Sequence, residues 1–269
     1  MYQKVTAVPY RLLHITVSEI DSGLDKTAKK FITPVYLYLA ARAGLDYTYL
    51  TSLGDILERG CGCTSLNKAY KKNYYDSITS VLQYLKKENI ISDWKDVKGN
   101  DVVDTGQLKP QTKFYITIAD GLGDRPYALI STQEYKCLMN VAKNNWRDFS
   151  KVLCVYLYIR SKVGYDPTTN KAFHSYWTIK YEDVVTALHG TYVENTIRDA
   201  FAVLKEFGLI DYTRLFVKDE SHKSPYCAGT MVILTHGESE EEIKARIEEA
   251  KTEARNDFYK RKPKKQFTK

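Results

Sequence analysis

Val35-Tyr-Leu-Tyr-Leu39 recurs 120 residues further along the chain as Val155-Tyr-Leu-Tyr-Ile159. A second pair of similar stretches, residues 78–91 and residues 197–210, is separated by 119 residues. Because the two matches lie apart in the sequence and have nearly the same offset, a whole domain is repeated and not a short peptide. The sequence therefore predicts two copies of one small fold.

Length and composition agree with a repeated domain. The chain has 269 residues, of which 43% are apolar and 27% are charged. Domains of roughly 100–150 residues are typical, and this composition lets each copy bury a core of its own. We predict a first domain at residues 1–125, a second at residues 126–236, and a charged helix with a basic tail at residues 237–269.

Apolar spacing predicts the same order of elements in both copies. In the first copy we expect a lead-in strand at residues 10–17, helices at residues 25–43 and 53–58, a third helix through residues 78–85, and strands at residues 90–91 and 114–118. In the second copy we expect a lead-in strand at residues 127–131, a long helix ending at residue 164, a helix at residues 180–188, a third helix, and strands at residues 209–217 and 230–234. Residues 191–194 have the pattern of a capping box at the start of that third helix. Asn89 and Gly208 are suited to end the two third helices in left-handed backbone.

Three helices followed by a two-stranded hairpin is the element order of a winged helix-turn-helix. We therefore predict a mainly α fold with small β hairpins (α+β), made of two tandem winged helix-turn-helix domains and a C-terminal charged helix. That last helix spans residues 238–262 and has apolar residues at steps of three and four. Such a narrow stripe predicts that the helix docks on the second domain or on another chain.

Membrane and secretory segments are not evident in the sequence. The longest apolar run, Val152–Ile159, is far shorter than the roughly 20 residues that span a bilayer, and the first residues lack a signal-peptide pattern. The five cysteines are scattered, which fits a reducing compartment better than a disulfide framework. We expect a cytoplasmic protein with no membrane partner.

The residue patterns of common catalytic and metal sites are also missing. The five histidines form no His-x-His or His-Glu-x-x-His pair, and Cys61-x-Cys63 has no second pair of ligands at zinc spacing. Tyr74 or Tyr75 could act as a strand-nicking nucleophile, but that chemistry needs a metal held by histidines. We predict that the chain is not an enzyme and has no cofactor and no metal site.

Residues suited to binding DNA are better represented. A winged helix-turn-helix places the first part of its third helix in the major groove, where Arg and Asn side chains can read base edges, and its wing contacts the backbone. In the first copy the candidates at the start and on the free face of this helix are Lys68, Lys71, Lys72, Asn73, Tyr74, Ser77, Ser80 and Gln83. In the second copy they are Asn195, Arg198 and Lys205. The hairpins add Lys95, Lys98, Lys109, Lys113, Lys218, His222 and Lys223. Double-stranded DNA is the expected partner.

The net charge gives only weak support to this interpretation. The chain has a net charge of +7, but its last ten residues contain six Lys or Arg and no acid. Without those six charges the net charge is +1. The rest of the chain is therefore nearly neutral, and a DNA-binding face has to come from local clustering. The basic end resembles an arm that adds salt-sensitive affinity for phosphates.

At this level of pattern the chain resembles the replication initiator proteins of bacterial plasmids and related phages and mobile elements. The residues that carry the resemblance are Tyr10-Arg-Leu-Leu13 ahead of the first repeated helix and Arg125-Pro-Tyr-Ala-Leu-Ile130 ahead of the second. The match covers residues 10–236 and consists of architecture and apolar pattern. The resemblance implies tandem winged-helix domains, binding to a replication origin, a homodimer formed through one domain, and replication proteins as further partners.

Two alternatives remain open from the sequence. One is a transcriptional regulator with the same fold, because the same side chains would bind its operator. The other is a winged-helix adaptor that binds protein and not DNA, which the nearly neutral body favours. A continuous basic surface over the third helices and wings would distinguish DNA binding from the adaptor.

Overall fold

Helices and short strands alternate along the chain. The structure is a computed structural model that describes residues 5–9, 12, 16, 23–43, 46–64, 68–102, 105–119, 127–163, 165–166, 171–172, 176–218, 224–235 and 238–261. Over those residues the fold is of the mixed α+β class, as predicted. Every helix within them is too short or too polar to span a lipid bilayer.

The first unit contains the elements predicted for the first copy, with one additional strand. Its elements are β1 (Val5–Pro9), α1 (Lys26–Arg42), β2 (Thr48–Thr51), α2 (Leu53–Asp55, continued as a π-helical turn Ile56–Gly60), α3 (Lys68–Lys87), β3 (Ile91–Asp96), a short 3-10 helix (Thr105–Gln107) and β4 (Phe114–Ile118). The additional strand β2 pairs with β4, so the order within this sheet is β2-β4-β3.

The second unit repeats this arrangement. Its elements are β5 (Tyr127–Ser131), α4 (Thr132–Asn144), α5 (Phe149–Lys162), β6 (Tyr165–Asp166), β7 (Lys171–Ala172), β8 (Trp177–Ile179), α6 (Tyr181–Ala187), α7 (Glu194–Glu206), β9 (Ile210–Val217) and β10 (Tyr226–Leu234). Strand β8 occupies the position of β2, and the sheet order is β8-β10-β9. The last helix, α8 (Glu240–Arg261), follows.

The repeated Val-Tyr-Leu-Tyr stretch forms the buried middle of α1 and α5. The Asp25 carboxylate starts α1 by accepting hydrogen bonds from the backbone N–H groups of Thr27 and Ala28. Residues 31–39 of α1 and 152–157 of α5 are buried on all sides because the two helices pack against each other and against their own third helices. The helix continues through Pro34, which removes one helical N–H. These helices are therefore the scaffold on which the rest of each unit is placed.

The two units are joined by pairing between their first strands. Strands β1 and β5 form an antiparallel ladder in which Val8 lies opposite Ala128. The repeat offset of 120 residues maps Val8 onto Ala128, so equivalent residues face each other, as a two-fold axis requires. Both side chains are buried, and one continuous hydrophobic cluster extends from Val8 to Leu234. The units thus share a core about an approximate two-fold axis.

Three sequence predictions about element bounds are wrong. The first lead-in strand lies at Val5–Pro9, before the predicted residues 10–17, of which the structure describes Leu12 and Thr16, both helical. The long helix of the second unit is two helices, because Ser131 and Glu134 form a capping box that starts α4 and residues 145–148 turn before α5. The predicted capping box at residues 191–194 is also absent, since α7 begins only at Glu194.

The predicted ends of the third helices are confirmed. Asn89 follows α3 with a φ of 53°, and Gly208 follows α7 with a φ of 65°. Both residue types tolerate this left-handed backbone, which turns the chain from the helix into the hairpin. The C-terminal helix docks within the same chain, because Ala250 and Ala254 of α8 are buried against the outer side of the β9–β10 hairpin.

Candidate nucleic-acid interface

The third helix of the first unit, α3, has one buried side and one exposed side. Ile78, Val81 and Leu85 are fully buried, which confirms the predicted apolar stripe. On the opposite side Lys72 and Asn73 are exposed in the first turns of the helix. The beginning of α3 is therefore open to a partner, as a recognition helix needs to be.

The start of α3 has two more lysines, Lys71 and Lys68, and Lys71 is less exposed than Lys72. The Lys71 ammonium lies 2.7 Å from the Glu58 carboxylate, and its side chain is only 19% exposed. The hydrogen bond to Glu58 raises the pKa of Lys71. The Lys71 ammonium therefore faces Glu58, in the π-helical turn that ends α2, and not solvent. Lys68 begins the helix, but its side chain lies outside the described part of the structure.

Tyr74 and Ser77 are packing residues and not free contacts. The Tyr74 ring is half-buried and meets the rings of Phe31 and Trp146 edge to face, at 5.6 and 6.1 Å between centroids. The Ser77 hydroxyl is buried and donates to the carbonyl of Asn73. The placement of Ser77 on the free face is wrong because the buried stripe of α3 is wider than its aliphatic residues indicate.

Ser80 and Gln83 lie on the exposed side of α3 but already have partners. The Ser80 hydroxyl donates to the carbonyl of Asp76 at 3.0 Å. The Gln83 amide donates to the Thr105 hydroxyl at 2.9 Å, because the β3–β4 connection folds back over the end of α3. Neither bond is buried, so a DNA base could replace either one at small cost. Of the residues predicted on α3, Lys72 and Asn73 are therefore the most available to a partner.

The corresponding side of α7 carries paired charges. Arg198 forms an exposed ion pair with Glu194, and its guanidinium lies 4.6 Å from the centre of the Tyr181 ring. Lys205 pairs with Asp211 at the start of β9. Asn195 is exposed at the start of the helix. The cations on the face of α7 are thus paired with acids, and Asn195 presents an exposed amide near the start of the helix.

The hairpin of the first unit has its basic residues spread along its length. Lys98 is exposed in the turn at Asp96–Asn100, where the Asp96 carboxylate accepts from the backbone N–H groups of residues 98 and 100. Lys109 is exposed in the connection to β4. Lys95 and Lys113 pair with Asp93 and Asp55, respectively. Lys98 and Lys109 are therefore the better candidates for phosphate contacts.

The hairpin of the second unit exposes residues that the sequence analysis missed. Arg214 and Phe216 of β9 and Lys218 directly after it are exposed, whereas Leu215 and Val217 between them are buried under α8. The strand was predicted, but Leu215, Phe216 and Val217 are consecutive apolar residues, so the sequence did not show which of them is exposed. Lys218 was predicted and is exposed. His222 and Lys223 lie outside the described residues.

A cavity of about 290 Å³ lies beside the start of α3 and is lined by residues of both units. Its lining includes Lys30, Phe31, Tyr74, Trp146 and Arg147. The position of Tyr74 in this lining explains why a residue at the start of the third helix is turned away from solvent: the second unit packs beside it.

Chemistry other than binding is weakly represented among the described residues. Those residues contain no cluster of three or more His, Cys, Asp and Glu side chains able to hold a metal ion. Burial raises the pKa of the Cys63 and Cys154 thiols to about 12, so neither is a ready nucleophile. No known protein family, curated protein or solved structure matches the chain.

Proposed function

We propose that the chain is a sequence-specific DNA-binding protein built from two winged helix-turn-helix domains. The observation that carries this proposal is the order helix, strand, helix, helix, strand, strand, found in both units with the same sheet order of first, third and second strand, apart from the short paired strands β6 and β7 inserted in the second unit. In such a domain the third helix enters the major groove and the hairpin lies along the backbone. Here those elements are α3 with the β3–β4 hairpin and α7 with the β9–β10 hairpin.

Base reading is assigned to exposed polar residues in the first turns of the third helices. Asn73 and Asn195 are exposed there, and an Asn amide can make two hydrogen bonds to adenine. Lys72 next to Asn73 is suited to a phosphate or a guanine. Each good base contact contributes about 1–3 kcal/mol of discrimination.

Arg198 remains able to contact DNA although it forms an ion pair with Glu194. The Arg198 and Glu194 side chains are 48% and 41% exposed, and ion pairs in such positions contribute about 0–1 kcal/mol. A guanine edge or a phosphate can therefore replace Glu194 at little cost. Lys71 differs, because its side chain is only 19% exposed, although that of Glu58 is 42% exposed.

We further propose a role in initiating replication of a plasmid or phage. The support is the resemblance described above, together with the joining of two units through strands that precede each first helix, β1 and β5. A transcriptional regulator would use the same surfaces, and only the location of the bound sequence separates the two roles.

A protein-binding adaptor is the second candidate function. The observation that favours it is the neutralisation of predicted DNA contacts by neighbouring acids: Lys71 by Glu58, Lys113 by Asp55, Arg198 by Glu194 and Lys205 by Asp211. An adaptor has no need of net positive charge on its third helices.

Selection from a randomised duplex pool tests DNA binding directly. We expect the native chain to enrich one motif and the variant Lys72→Ala/Asn73→Ala to lose at least tenfold in affinity for it. The chain offers a matched control in Lys143 and Asn144, the same exposed dipeptide at the end of α4. The variant Lys143→Ala/Asn144→Ala should bind like the native chain. No enriched motif, or equal losses in the two variants, would contradict the proposal and favour the adaptor.

A further inference from the structure

The cavity of about 290 Å³ beside the start of α3 is formed mainly by helices. Its described lining comes from α1, the residue after the π-helical turn of α2, α3, the turn between α4 and α5, and the start of α5. Ligand pockets are usually preformed, have volumes of about 300–1,000 Å³ and often lie between domains. The volume and the position of this cavity therefore suit a small ligand.

Part of the cavity lining is buried and apolar. Phe31, Phe149 and Cys61 all line the cavity and are almost fully buried. Burial raises the pKa of the Cys61 thiol, so this residue adds no charge to the lining. An apolar cavity of about 150 Å³ holds one benzene ring. A cavity of about twice that volume can therefore hold a planar system of two fused rings.

Three aromatic rings of the lining form an edge-to-face series. The centre of the Tyr74 ring lies 5.6 Å from that of Phe31 and 6.1 Å from that of Trp146, with interplanar angles of 84° and 82°. These are the distances and angles of favourable aromatic pairs, and a further planar ring can join such a series. Tyr74 and Trp146 are only half-buried, so both have ring surface left for a ligand. The lining therefore favours an aromatic ligand over an aliphatic one.

The exposed part of the lining carries two cations. Lys30 of α1 and Arg147 of the turn before α5 are exposed, and neither forms an ion pair with any residue that the structure describes. The Arg147 guanidinium lies 5.6 Å from the centre of the Trp146 ring. The described lining residues include no carboxylate. Lys30 and Arg147 thus differ from Lys71 and Arg198, which already have acidic partners, and they remain available to an anion.

The start of α5 adds partial positive charge to the same lining. Phe149 and Ser150, the first two residues of this 14-residue helix, both line the cavity. Asp148 does not cap the helix with its side chain, and its carboxylate accepts a hydrogen bond from the Lys151 ammonium at 2.5 Å. The backbone N–H groups at the start of a helix attract anions. The cavity therefore combines aromatic walls with a positive rim.

We propose that this cavity binds a small planar aromatic acid of about two fused rings, with its rings against Phe31, Tyr74 and Trp146 and its carboxylate at Lys30 and Arg147. The ring system fits the apolar lining, and the carboxylate pairs with cations that have no acid of their own. The inference goes beyond the proposed function, because binding of this ligand requires no DNA. Since Tyr74 belongs to α3 and Trp146 to the second unit, the bound rings contact both units.

Fluorine NMR of the full chain labelled with 5-fluorotryptophan locates the site, with naphthalene-2-carboxylate as the probe. The chain has three Trp residues, of which Trp94 packs against Phe114 and Trp177 against Tyr158, and neither of these two lines the cavity. We expect the probe to shift the resonance of Trp146, assigned with Trp146→Phe, and to leave the other two resonances unchanged. An unshifted Trp146 resonance at millimolar probe, or equal shifts of all three resonances, would overturn the proposal.

A neutral probe of the same shape tests whether the ligand is an anion. In titration calorimetry the native chain should bind naphthalene-2-carboxylate at least tenfold more tightly than naphthalene-2-carboxamide. Arg147→Gln should reduce this preference at least threefold. Lys136→Gln is the matched control, because Lys136 is exposed on α4 and does not line the cavity, and it should keep the native preference. Equal affinities for the two probes, or equal effects of the two substitutions, would contradict the proposal.

A larger side chain at the open part of the cavity should block the site without disturbing the core. Thr27 is exposed there, and Thr27→Phe keeps the backbone N–H that donates to the Asp25 carboxylate at the start of α1. We expect this variant to bind naphthalene-2-carboxylate at least tenfold more weakly than the native chain.

The thermal unfolding midpoint of Thr27→Phe, measured without the probe, serves as the control for folding and should match that of the native chain. Weak binding with a native midpoint would support the cavity as the site. Native-like affinity in Thr27→Phe would show that the probe binds elsewhere and would overturn the proposal.

Discussion

Replacement of the buried Glu134 should destabilise the whole chain. Its carboxylate is only 2% exposed and accepts hydrogen bonds from the Arg160 guanidinium at 2.8 Å, the Ser131 backbone N–H at 2.7 Å, and the Tyr156 hydroxyl. In Glu134→Ala all three donors lose their acceptor. Breaking one partner of a buried ion pair typically costs about 3–5 kcal/mol, because the remaining charge stays buried.

The surroundings of Arg160 place the free-energy cost of Glu134→Ala within this range of about 3–5 kcal/mol. The Arg160 side chain is 12% exposed and also donates to the carbonyl of Val163, so the guanidinium keeps one protein partner. A charge-assisted hydrogen bond contributes about 1.5–3 kcal/mol, and the sum of three would overstate the loss because water can reach the site once the side chain is shortened. We therefore expect about 3–4 kcal/mol, a large part of the 5–15 kcal/mol by which domains are stable.

Urea unfolding followed by tryptophan fluorescence measures this loss. With an m value of about 3 kcal/mol/M, the midpoint of Glu134→Ala should fall by about 1 M. As a control, the double variant Glu134→Leu/Arg160→Met removes both charges and should lose less than the single variant. A free energy of unfolding within 1 kcal/mol of the native value in Glu134→Ala would refute the reasoning.

Two further predictions concern the contact between the units and the turn at Ser52. Gly62 has a φ of 74°, and a Cβ there would lie 1.9 Å from the Ala142 carbonyl of the other unit, so Gly62→Ala should lower stability by at least about 2 kcal/mol. Gly99→Ala is the control, because Gly99 has a φ of 88° with nothing near its added Cβ, and equal losses in thermal unfolding would disprove the clash. Burial acts to raise the pKa of Asp55, but hydrogen bonds from Lys113 and Ser52 lower it overall below its ordinary 3.8. The resulting stabilisation is present above pH 3.8 and is lost as the pH falls through the lower folded value, so Asp55→Asn should flatten the acid limb of stability against pH. An acid limb as steep as that of the native chain would contradict this assignment.

The helices could be predicted because the buried side of each one places apolar residues at steps of three and four along the sequence. The stripes of α3 and α7 each continue over about two turns, and their apolar residues had few alternative interpretations. Strands β2 and β8 were missed because four and three residues are too few for an alternating pattern to be recognised. Their existence depends on pairing with β4 and β10, which is a property of the folded chain.

The surroundings of the candidate binding residues were predicted less well than the helices. Lys205 pairs with Asp211 only because the chain reverses at Gly208 and brings the start of β9 beside the end of α7. Tyr74 is enclosed by Trp146 of the other unit, a contact between residues 72 positions apart. Helical periodicity describes one element at a time, so it could not show that either side chain already had a neighbour.

The ladder between β1 and β5 has a consequence for synthesis on the ribosome. Strand β1 is made first, but its partner β5 ends at residue 131, more than 120 residues later. Synthesis adds about 5–20 residues per second, so about 6–25 s pass between the synthesis of β1 and that of β5. During this time the backbone groups of β1 are unpaired and can pair with other strands. Pro9 at the end of β1 lacks a donor N–H and blunts part of that edge. The strand that joins the two units in the folded protein is thus open to mispairing while the chain is being made.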